Sequence, residues 1–466
     1  MKSSELAKLG IHDHEAQRLA SMAIAAVMKR GVKKKNVAKT VRGVAASPKA
    51  HLAHADFGAL AAYLLQEQPK ETFNTEKYER DIPAPFQVWG ADIDEASLDQ
   101  MRNACMLPVA ARGAVMPDAH VGYGLPIGGV LATRNAVIPY AVGVDIACRM
   151  KLTMLDLPVQ MLKGESEKLL KTLREETHFG PKAFGQQREH DVMDEDWSIT
   201  SLTSHYKDKA YVQLGTSGGG NHFVEFGELI VEDESLEIPA GTYLALLSHS
   251  GSRGTGAMLA DHYSKLAMAQ HEGLPKQLKH LAWLDLDSAE GQEYWACMQL
   301  MGKYAAANHA CIHSAITKTL GAESLVSIEN HHNFAWLEEH ETEPGKREKL
   351  IVHRKGATPA GENVLGVIPG SMATPAFVVC GKGNGDSLNS ASHGAGRLFS
   401  RRVAKESITR SAVKRFLADQ GVTLLSGGLD EAPMAYKNIH TVMAAQRDLV
   451  EPLAQFNPKL VRMASD

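Results

Sequence analysis

The residues Tyr243-Leu-Ala-Leu-Leu247 and the loop after them, Ser248-His-Ser-Gly-Ser-Arg-Gly254, show the pattern that decides the fold of this 466-residue chain. The apolar run has the length of a buried strand, and it leads directly into a loop of His, Ser, Gly and Arg. Three more apolar runs of strand length lead into similar loops, at residues 325–328, 350–352 and 377–380. We therefore expect scaffold strands that deliver polar loops to one place, where binding sites tend to lie.

Helices interrupt this pattern of short strands and glycine-rich loops. Leucines at helical spacing predict a helix over residues 159–177. Residues 289–320 contain no proline and few glycines, which predicts one long helix or two abutting ones. A further helix is predicted over residues 408–420, ended by Gly421 at its C′ position. Together these elements indicate the α+β class.

The N-terminal 80 residues differ from the rest of the chain. Residues 16–29 predict a helix with a face rich in alanine and methionine, and residues 29–49 contain eight basic side chains and no acidic one. This basic segment is either an ordinary solvated surface or a local patch that contacts phosphates, because basic clusters attract polyanions even on a neutral protein. The eight basic residues are Lys29, Arg30, Lys33, Lys34, Lys35, Lys39, Arg42 and Lys49.

Composition excludes several classes of protein. Fifty basic against 54 acidic residues give a net charge of −4, so no global cationic field indicates a nucleic-acid partner. Five cysteines are too few for a disulfide scaffold and suit a reducing cytosol. No apolar run approaches the roughly 20 residues needed to span a bilayer. We expect a soluble cytoplasmic protein that does not bind membranes.

Familiar catalytic signatures are missing from the sequence. There is no Walker A motif for nucleotides, no H-E-x-x-H or paired C-x-x-C for zinc, and no Lys-x-Asp-Gly of ordinary nucleic-acid ligases. The Gly-Thr-Ser-Gly-Gly-Gly stretch at residues 215–220 lacks the spacing of a dinucleotide fingerprint. The chemistry must therefore come from the histidines and cysteines of the loops.

Five residues of these loops are candidate metal ligands: one aspartate, one cysteine and three histidines. They are Asp145, Cys148, His222, His249 and His332. A carboxylate and a thiolate three residues apart can converge on one ion where the chain turns, and a thiolate can bridge two ions. Imidazole and thiolate together suit Mn, Zn, Fe or Co rather than Mg or Ca alone. Seen singly, the cysteine would more often be a small buried hydrophobe and each histidine a turn residue.

Three further loops are candidate phosphate sites. The first two could equally be ordinary solvated loops, and the third, seen alone, is more often a glycine-rich turn with an incidental histidine. His353-Arg-Lys355 places three possible cations beside Gly356, and Pro369-Gly-Ser-Met372 is a tight turn with a free hydroxyl. In Ser392-His-Gly-Ala-Gly-Arg397, a helix starting at the serine would let amides and the arginine hold a phosphate. His393 would then be exposed as a nucleophile, since neutral imidazole can attack phosphorus to form a phosphoramidate.

Eight motifs together make the sequence from about Phe86 to Tyr436 similar to the RtcB family of RNA-splicing ligases, in which they occur in the same order. The motifs are Met116-Pro-Asp-Ala-His-Val-Gly-Tyr-Gly-Leu-Pro-Ile-Gly-Gly129, Gly143-Val-Asp-Ile-Ala-Cys148, Gly220-Asn-His-Phe-Val-Glu225, His249-Ser-Gly-Ser-Arg-Gly254, His332-Asn333, Val352-His-Arg-Lys-Gly-Ala-Thr358, Pro369-Gly-Ser-Met372 and His393-Gly-Ala-Gly-Arg397. The resemblance implies one large catalytic domain of mixed and antiparallel sheets with flanking helices over residues 81–466, preceded by a small helical extension over residues 1–80.

The resemblance also implies a reaction. The expected enzyme is a GTP- and manganese-dependent ligase that joins RNA ending in a 2′,3′-cyclic phosphate or 3′-phosphate to a 5′-hydroxyl RNA, in tRNA splicing or RNA repair. A histidine takes GMP from GTP, the guanylate passes to the RNA 3′-phosphate as RNA-(3′)pp(5′)G, and the 5′-hydroxyl displaces GMP. A monomer is expected, and the need for an archease-like activator stays open.

Residue by residue, the resemblance makes His393 the guanylylated nucleophile and the five candidate ligands the site of two Mn²⁺ ions bridged by Cys148. Lys355, Arg253 and Arg397 are expected to bind RNA phosphate or stabilise transition-state charge. The residues expected around GMP and its phosphate are Asn221, His222, Phe223, Glu225, His332, Asn333, Pro369, Gly370, Ser371, Met372, His393, Gly394, Ala395 and Gly396.

Two departures from the family pattern concern the nucleotide. Ala376 replaces a serine, and residues 461–466 replace the usual Lys-Gly end, so ATP in place of GTP is an outcome to test. Two other functions stay open from the sequence. One is an enzyme that caps RNA 3′-phosphates with guanylate but seals poorly. The other is a non-catalytic RNA-binding descendant that uses the basic segment, although a pure binding module does not need Cys148 or His393.

Overall fold

The computed structural model describes residues 3–11, 14–65, 80, 82–181, 184–234 and 236–465. These residues form two compact units: one from the described part of 1–78 with Leu284–Trp295, the other from the described part of 79–283 with 296–466. No helix in the described part of the chain is long and apolar enough to cross a membrane.

The first unit is helical through residue 65. It has its own core of small and branched apolar side chains, such as Leu6, Ile24 and Phe57. Helix α2 confirms the helix predicted over residues 16–29. The helices are α1 Ser3–Ala7, α2 His14–Lys29, α3 Lys34–Ala46 and α4 Gly58–Leu65.

Helix α3 is amphipathic. Val37, Val41 and Val44 recur at i, i+4 and i+7, so they fall on one face of a 3.6-residue helix, and all three are buried. That apolar face packs into the core of the first unit.

The remaining helices confirm most of the sequence predictions. Residues 289–320 form one unbroken helix, and Gly421 with φ of 65° follows the helix predicted over 408–420. The single helix predicted over 159–177 is wrong: it is two helices, broken at Glu165, which has non-helical φ after Gly164. The helices are α5 Glu95–Cys105, α6 Pro139–Val142, α7 Met161–Gly164, α8 Ser166–Glu176, α9 Ser201–Gln213, α10 Arg253–Gln270, α11 Ala289–Leu320, α12 Arg401–Ser407, α13 Arg410–Asp419 and α14 Ile439–Ala444.

The strands form two main sheets, which confirms the α+β class. One sheet has the order β1-β2-β3-β11-β10; the other has the order β13-β14-β17-β6-β7-β5-β9, with β16 also paired to β17. In these sheets β1–β2 and β16–β17 are parallel, and the other neighbours are antiparallel. The strands are β1 Phe86–Val88, β2 Ala110–His120, β3 Ile127–Thr133, β4 Ala136–Val137, β5 Arg149–Leu155, β6 Phe223–Val231, β7 Gly241–Ser250, β8 Leu284–Asp285, β9 Ser324–His331, β10 Asn333–Glu343, β11 Lys346–Lys355, β12 Ala357–Pro359, β13 Leu365–Ile368, β14 Ala376–Gly381, β15 Ser390–Ser392, β16 Thr423–Ser426 and β17 Val450–Met463.

The larger sheet curls until its two end strands meet. Asn330 on β9 donates a side-chain hydrogen bond to the carbonyl of Val367 on β13 (3.3 Å) and accepts one from its amide (2.8 Å). At the centre of this sheet, His249 on β7 lies opposite Met150 on one side and Phe223 on the other. The residues just before β5 and β6 therefore reach the same edge as the end of β7.

Candidate active site

The five candidate metal ligands converge at that edge. The Sγ atom of Cys148 lies 3.1 Å from Nε2 of His249 and 3.3 Å from Nε2 of His222. Nε2 of His249 is 3.2 Å from Nε2 of His332, and Nε2 of His222 is 3.0 Å from a carboxylate oxygen of Asp145. Side chains up to 187 residues apart in sequence thus present one sulfur, three nitrogens and one oxygen to a common space.

The ligand atoms divide into two groups that share the cysteine. Cys148, His249 and His332 form one group, and Asp145, Cys148 and His222 form the other, with the ligand atoms of each group within 4.8 Å of one another. One thiolate in two groups is the geometry required to bridge two ions. We refer to these five residues as the Cys148 cluster.

Burial prepares the imidazoles of the cluster for metal binding. It lowers the pKa of His249 to about 3 and the pKa of His332 well below the ordinary value, so both rings are neutral near pH 7. Nδ1 of His249 donates to the carbonyl of Asn221 (3.0 Å), which leaves the Nε2 lone pair for a cation. Nδ1 of His222 and of His332 have no hydrogen-bond partner among the described residues.

The thiol is the group that most requires a cation. Burial, followed by the charge of Asp145, raises the pKa of Cys148 well above its ordinary value. A thiolate at this position therefore needs a neighbouring positive charge, which a transition-metal ion would supply. The donor set fits such an ion, and its softness suits Mn, Zn, Fe or Co.

A sharp turn brings Asp145 and Cys148 together. The amide of Cys148 donates to the carbonyl of Asp145 (3.2 Å), and the intervening Ala147 has a φ of 57°, a left-handed conformation that is strained for alanine. The amide of Ala147 donates to the carbonyl of Asn333 (2.7 Å), which holds this turn. A Cβ atom at Gly251 would overlap the Asp145 carboxylate, so only glycine lets the β7 loop approach.

His393 lies beside the cluster. Its ring centroid is 5.0 Å from that of His332. Its Nδ1 atom donates to the Asp118 carboxylate (2.6 Å), and the same oxygen accepts from the amides of His393 (3.2 Å) and Gly394 (3.3 Å). Because Asp118 is fully buried and holds the proton on Nδ1, the Nε2 lone pair of His393 is available for nucleophilic attack.

A cavity of about 600 Å³ joins the cluster and His393. This volume lies within the roughly 300–1,000 Å³ of small-molecule sites. The cavity is lined by all five candidate ligands and by every residue expected from the sequence to contact the nucleotide, from Asn221 to Gly396. The helix start considered at Ser392 is not formed: residues 393–397 form a loop, as the alternative of a glycine-rich turn predicts, and the next helix begins at Arg401.

Comparison with known proteins places the chain in a family. The family described as tRNA-splicing ligase RtcB matches residues 100–200 and 186–464. The chain belongs to the RtcB family. It is 32% identical to the RNA-splicing ligase RtcB of Escherichia coli K12, over 79% of this chain and 94% of the relative. It is 31% identical to the tRNA-splicing ligase RtcB of Nanoarchaeum equitans, over 83% of this chain and 98% of the relative.

Two of the three cations predicted from the sequence line the cavity of this RtcB protein. The Lys355 ammonium is buried and donates to the carbonyl of Tyr123 (2.5 Å), and burial lowers its pKa to about 7. Arg397 is paired instead: its guanidinium contacts Glu431 (3.2 Å) and donates to the carbonyl of Asp430 (2.6 Å).

The third cation, Arg253, does not line the cavity. Its guanidinium donates to Thr216 Oγ1 (3.0 Å) and to the carbonyl of Gly180 (2.5 Å), while the residue has a φ of 59° at the start of α10. In this RtcB protein the arginine therefore joins the loops around 180 and 216 to the end of β7.

Sequence reasoning missed some of the cavity wall. Asp118 belongs to the motif at residues 116–129, but its role does not follow from the sequence, and neither Arg401 nor Glu431 stands out there as a site residue. Met463 lies within the altered C-terminal residues 461–466. Arg401 pairs with Glu431 (2.6 Å) at the rim of the cavity. The signal available for Asp118 is its position next to Ala119 and His120 in the Asp-Ala-His motif. No local signal marks Arg401 or Glu431.

Part of the cavity wall combines apolar side chains with the buried acid Glu225. Phe223, Met372 and Met463 line the cavity with Glu225. Oε2 of Glu225 has no hydrogen-bond partner among the described residues, and burial raises the pKa of this carboxyl well above its ordinary value. An unsatisfied buried carboxyl among apolar side chains is suited to the polar edge of a heterocyclic base.

Proposed function

We propose that this protein is an RNA ligase that joins a 3′-phosphate or 2′,3′-cyclic phosphate end to a 5′-hydroxyl end, with GTP as co-substrate and two Mn²⁺ ions per chain. The observation behind this proposal is the placement of His393, with its proton held by Asp118, in one cavity with the Cys148 cluster. Membership of the RtcB family, whose relatives are named RNA-splicing ligases, gives independent support.

In the first step, Nε2 of His393 attacks the α-phosphorus of GTP, an N–P bond forms, and pyrophosphate leaves. Asp118 keeps the proton on Nδ1, orients the ring and stabilises the positive charge that develops on it. The Cys148 cluster would hold the ions, which neutralise phosphate charge and orient the leaving group when bound. Glu225 and the apolar wall would hold the base.

A 2′,3′-cyclic phosphate end is first hydrolysed by water, which breaks the bond from phosphorus to the 2′-oxygen and leaves a 2′-hydroxyl and a 3′-phosphate. In the second step, an oxygen of the RNA 3′-phosphate attacks the guanylyl phosphorus, the N–P bond breaks, and RNA-(3′)pp(5′)G forms. In the third step, the 5′-hydroxyl oxygen attacks the 3′-phosphorus, loses its proton, and displaces GMP. Positioning and charge neutralisation supply most of the rate in such transfers. Lys355 and Arg397 lie in the cavity wall where an RNA phosphate would enter.

The test is transfer of label from α-³²P-GTP to the protein in the presence of Mn²⁺. We expect a labelled protein with an acid-labile, base-stable bond, and a loss of at least about 10³-fold in His393→Ala. His205→Ala, which changes an exposed histidine on α9, is the matched control and should label normally. No label in the wild-type protein would leave only the RNA-binding descendant.

Offering RNA with 3′-phosphate and 5′-hydroxyl ends separates the two enzymatic functions. Sealed product is expected from a ligase, whereas accumulation of RNA-(3′)pp(5′)G without sealing would show a capping enzyme. Competition with ATP tests base choice, and equal labelling by ATP would contradict the GTP assignment. We place the enzyme in the cytoplasm, because none of its five cysteines forms a disulfide, which suits a reducing compartment.

A further inference from the structure

The charge of this chain is divided unevenly along the sequence. Residues 1–65 contain eleven basic and four acidic residues, a net charge of +7, whereas residues 66–466 contain 39 basic and 50 acidic residues, a net charge of −11. The overall charge of −4 hides this division. The part of the chain with the active-site cavity would repel a polyanion at long range, and the N-terminal helices would attract one.

The outer face of α3 is a row of three cations. Lys35, Lys39 and Arg42 follow one another at i, i+4 and i+7, so they share a face, and all three are exposed. They lie opposite the buried valines of the same helix. A rise of 1.5 Å per residue separates them by about 6 Å and about 4.5 Å along the helix axis. We call Lys35, Lys39 and Arg42 the basic row.

Acidic neighbours do not neutralise the basic row. Arg30 is paired with Asp56, and Lys34 with Glu5 (2.7 Å). By contrast, the three residues of the basic row make no ion pair among the described residues, and no acidic residue stands in the first turn of α3. The like charges of the row repel one another at this spacing, and Lys35 also lies in the first turn of α3, at the positive end of the helix dipole. A bound anion would relieve that repulsion.

The chemistry of the row favours an RNA backbone over a membrane. A helix that inserts into a bilayer needs a free apolar face, but the apolar face of α3 is buried in the core of its unit. No large apolar side chain of α3 is exposed. Closely spaced cations that form no ion pair among the described residues match the phosphates of a nucleic-acid strand, a contact that carries no sequence preference.

We propose that the basic row binds the phosphate backbone of the RNA substrate and thereby recruits RNA to an enzyme whose remaining chain is acidic. This inference rests on the proposed function for the identity of the polyanion. Lys33 and Lys49, both exposed and without an ion pair among the described residues, extend the surface on either side of the row in sequence. The row contributes to RNA affinity and not to guanylylation.

The experiment compares full-length wild-type protein with K35Q/K39Q/R42Q. The probe is a 20-nucleotide single-stranded RNA with a 3′-phosphate, and its Kd is measured over a series of KCl concentrations. Because each phosphate contact contributes about 0.7 to the slope of log K against log salt, the slope should fall by about 2. Affinity at about 0.1 M salt should fall roughly 10- to 100-fold.

The matched control is K163Q/K168Q/K171Q, which removes three exposed lysines from α7 and α8, two of them paired with glutamates. It should change the Kd by less than about threefold. K35R/K39R/R42K retains the charges and should bind as wild type does. In the sealing assay, K35Q/K39Q/R42Q should raise the KM for RNA and leave kcat and the labelling by GTP unchanged.

An unchanged salt slope in K35Q/K39Q/R42Q would overturn the proposal, and so would a Kd loss equal to that of the control. Tighter binding of the wild type to phosphatidylserine–phosphatidylcholine vesicles than to RNA, abolished in K35Q/K39Q/R42Q, would also overturn it in favour of a membrane. Loss of RNA affinity in a protein that GTP never labels would support the basic row while refuting the proposed function.

Discussion

The two halves of the cavity handle charge in opposite ways. In the Cys148 cluster, burial keeps His249 and His332 neutral and disfavours the thiolate, so these three side chains contribute no positive charge. In the other half, one oxygen of the Asp118 carboxylate accepts three hydrogen bonds from His393 and Gly394, whereas its second oxygen, Oδ1, has no partner among the described residues. The first half offers ligand atoms to an added cation, and the second pairs a carboxylate with an imidazole of the protein itself.

This difference indicates which properties should depend on metal. Removal of metal should change the charge balance of the Cys148 cluster and leave the His393–Asp118 pair in place. Substitution of Asp118 should disturb the nucleophile and leave metal binding in place. Each half can therefore be disrupted by metal removal or by substitution, while the property of the other half serves as the internal control.

The largest effect is expected from Cys148→Ala. Because Cys148 belongs to both ligand groups, this variant should lose both ions, whereas Asp145→Ala and His332→Ala should each lose one. Guanylylation should fall by at least about 10³-fold in Cys148→Ala. The measurements are Mn²⁺ content per chain after dialysis and labelling by α-³²P-GTP.

Cys380→Ser is the control for this prediction, because that cysteine is free and does not line the cavity. It should bind two ions and label normally. If Cys148→Ala retained two ions per chain, the bridging role of the thiolate would be wrong. Equal metal loss in all three ligand variants would show that the two groups do not bind independently.

A smaller loss is expected from Asp118→Asn. An amide can donate to Nδ1 and so favour the tautomer with the proton on Nε2, which removes the nucleophilic lone pair. Guanylylation should fall by about 10²- to 10³-fold, whereas Mn²⁺ content should stay at two per chain. Single-turnover labelling at saturating GTP measures the chemical step apart from nucleotide binding.

Asp99→Asn, on the exposed face of α5, is the matched control and should label at the wild-type rate. If Asp118→Asn also released metal, the two halves of the cavity would be one coupled site. Normal labelling in Asp118→Asn would remove Asp118 from the mechanism.

Local pattern predicted much of this fold. The apolar run before Ser248 became β7, and residues 289–320 became one helix, because strand length and helical spacing are local properties. The break at Glu165 was missed, since helical spacing continues on both sides of it. Residues 393–397 form a loop because their amides are used by a distant carboxylate and not by a helix turn.

The roles of site residues could be predicted from the sequence only where the residue type itself implies the chemistry. Sulfur and imidazole donors could be assigned as ligands from their type together with the family resemblance. The role of Asp118 depends on a partner 275 residues away, and Arg253 depends on the carbonyl of Gly180. Such long-range contacts leave no trace in the spacing of nearby residues, so these roles required the structure.

The smallest effect concerns Lys355, which lines the cavity and forms no ion pair with a carboxylate among the described residues. Burial lowers its pKa from 10.5 to about 7. Between these values the unfolded chain binds a proton that the folded chain lacks, so the free energy of unfolding should rise with pH. This single group contributes at most about 1.4 kcal/mol per pH unit, and nothing below pH 7.

Lys355→Met should remove that slope. The stability of the variant relative to wild type, measured by urea unfolding in metal-free buffer, should be greatest near pH 6 and should decline steadily towards pH 9. Lys303→Met, at an exposed position, provides the control and should show no such trend. A difference in the free energy of unfolding between Lys355→Met and wild type that did not change with pH would mean that a nearby anion keeps Lys355 charged in the folded protein. Lys355 would then be paired in the cavity as Arg397 is paired with Glu431.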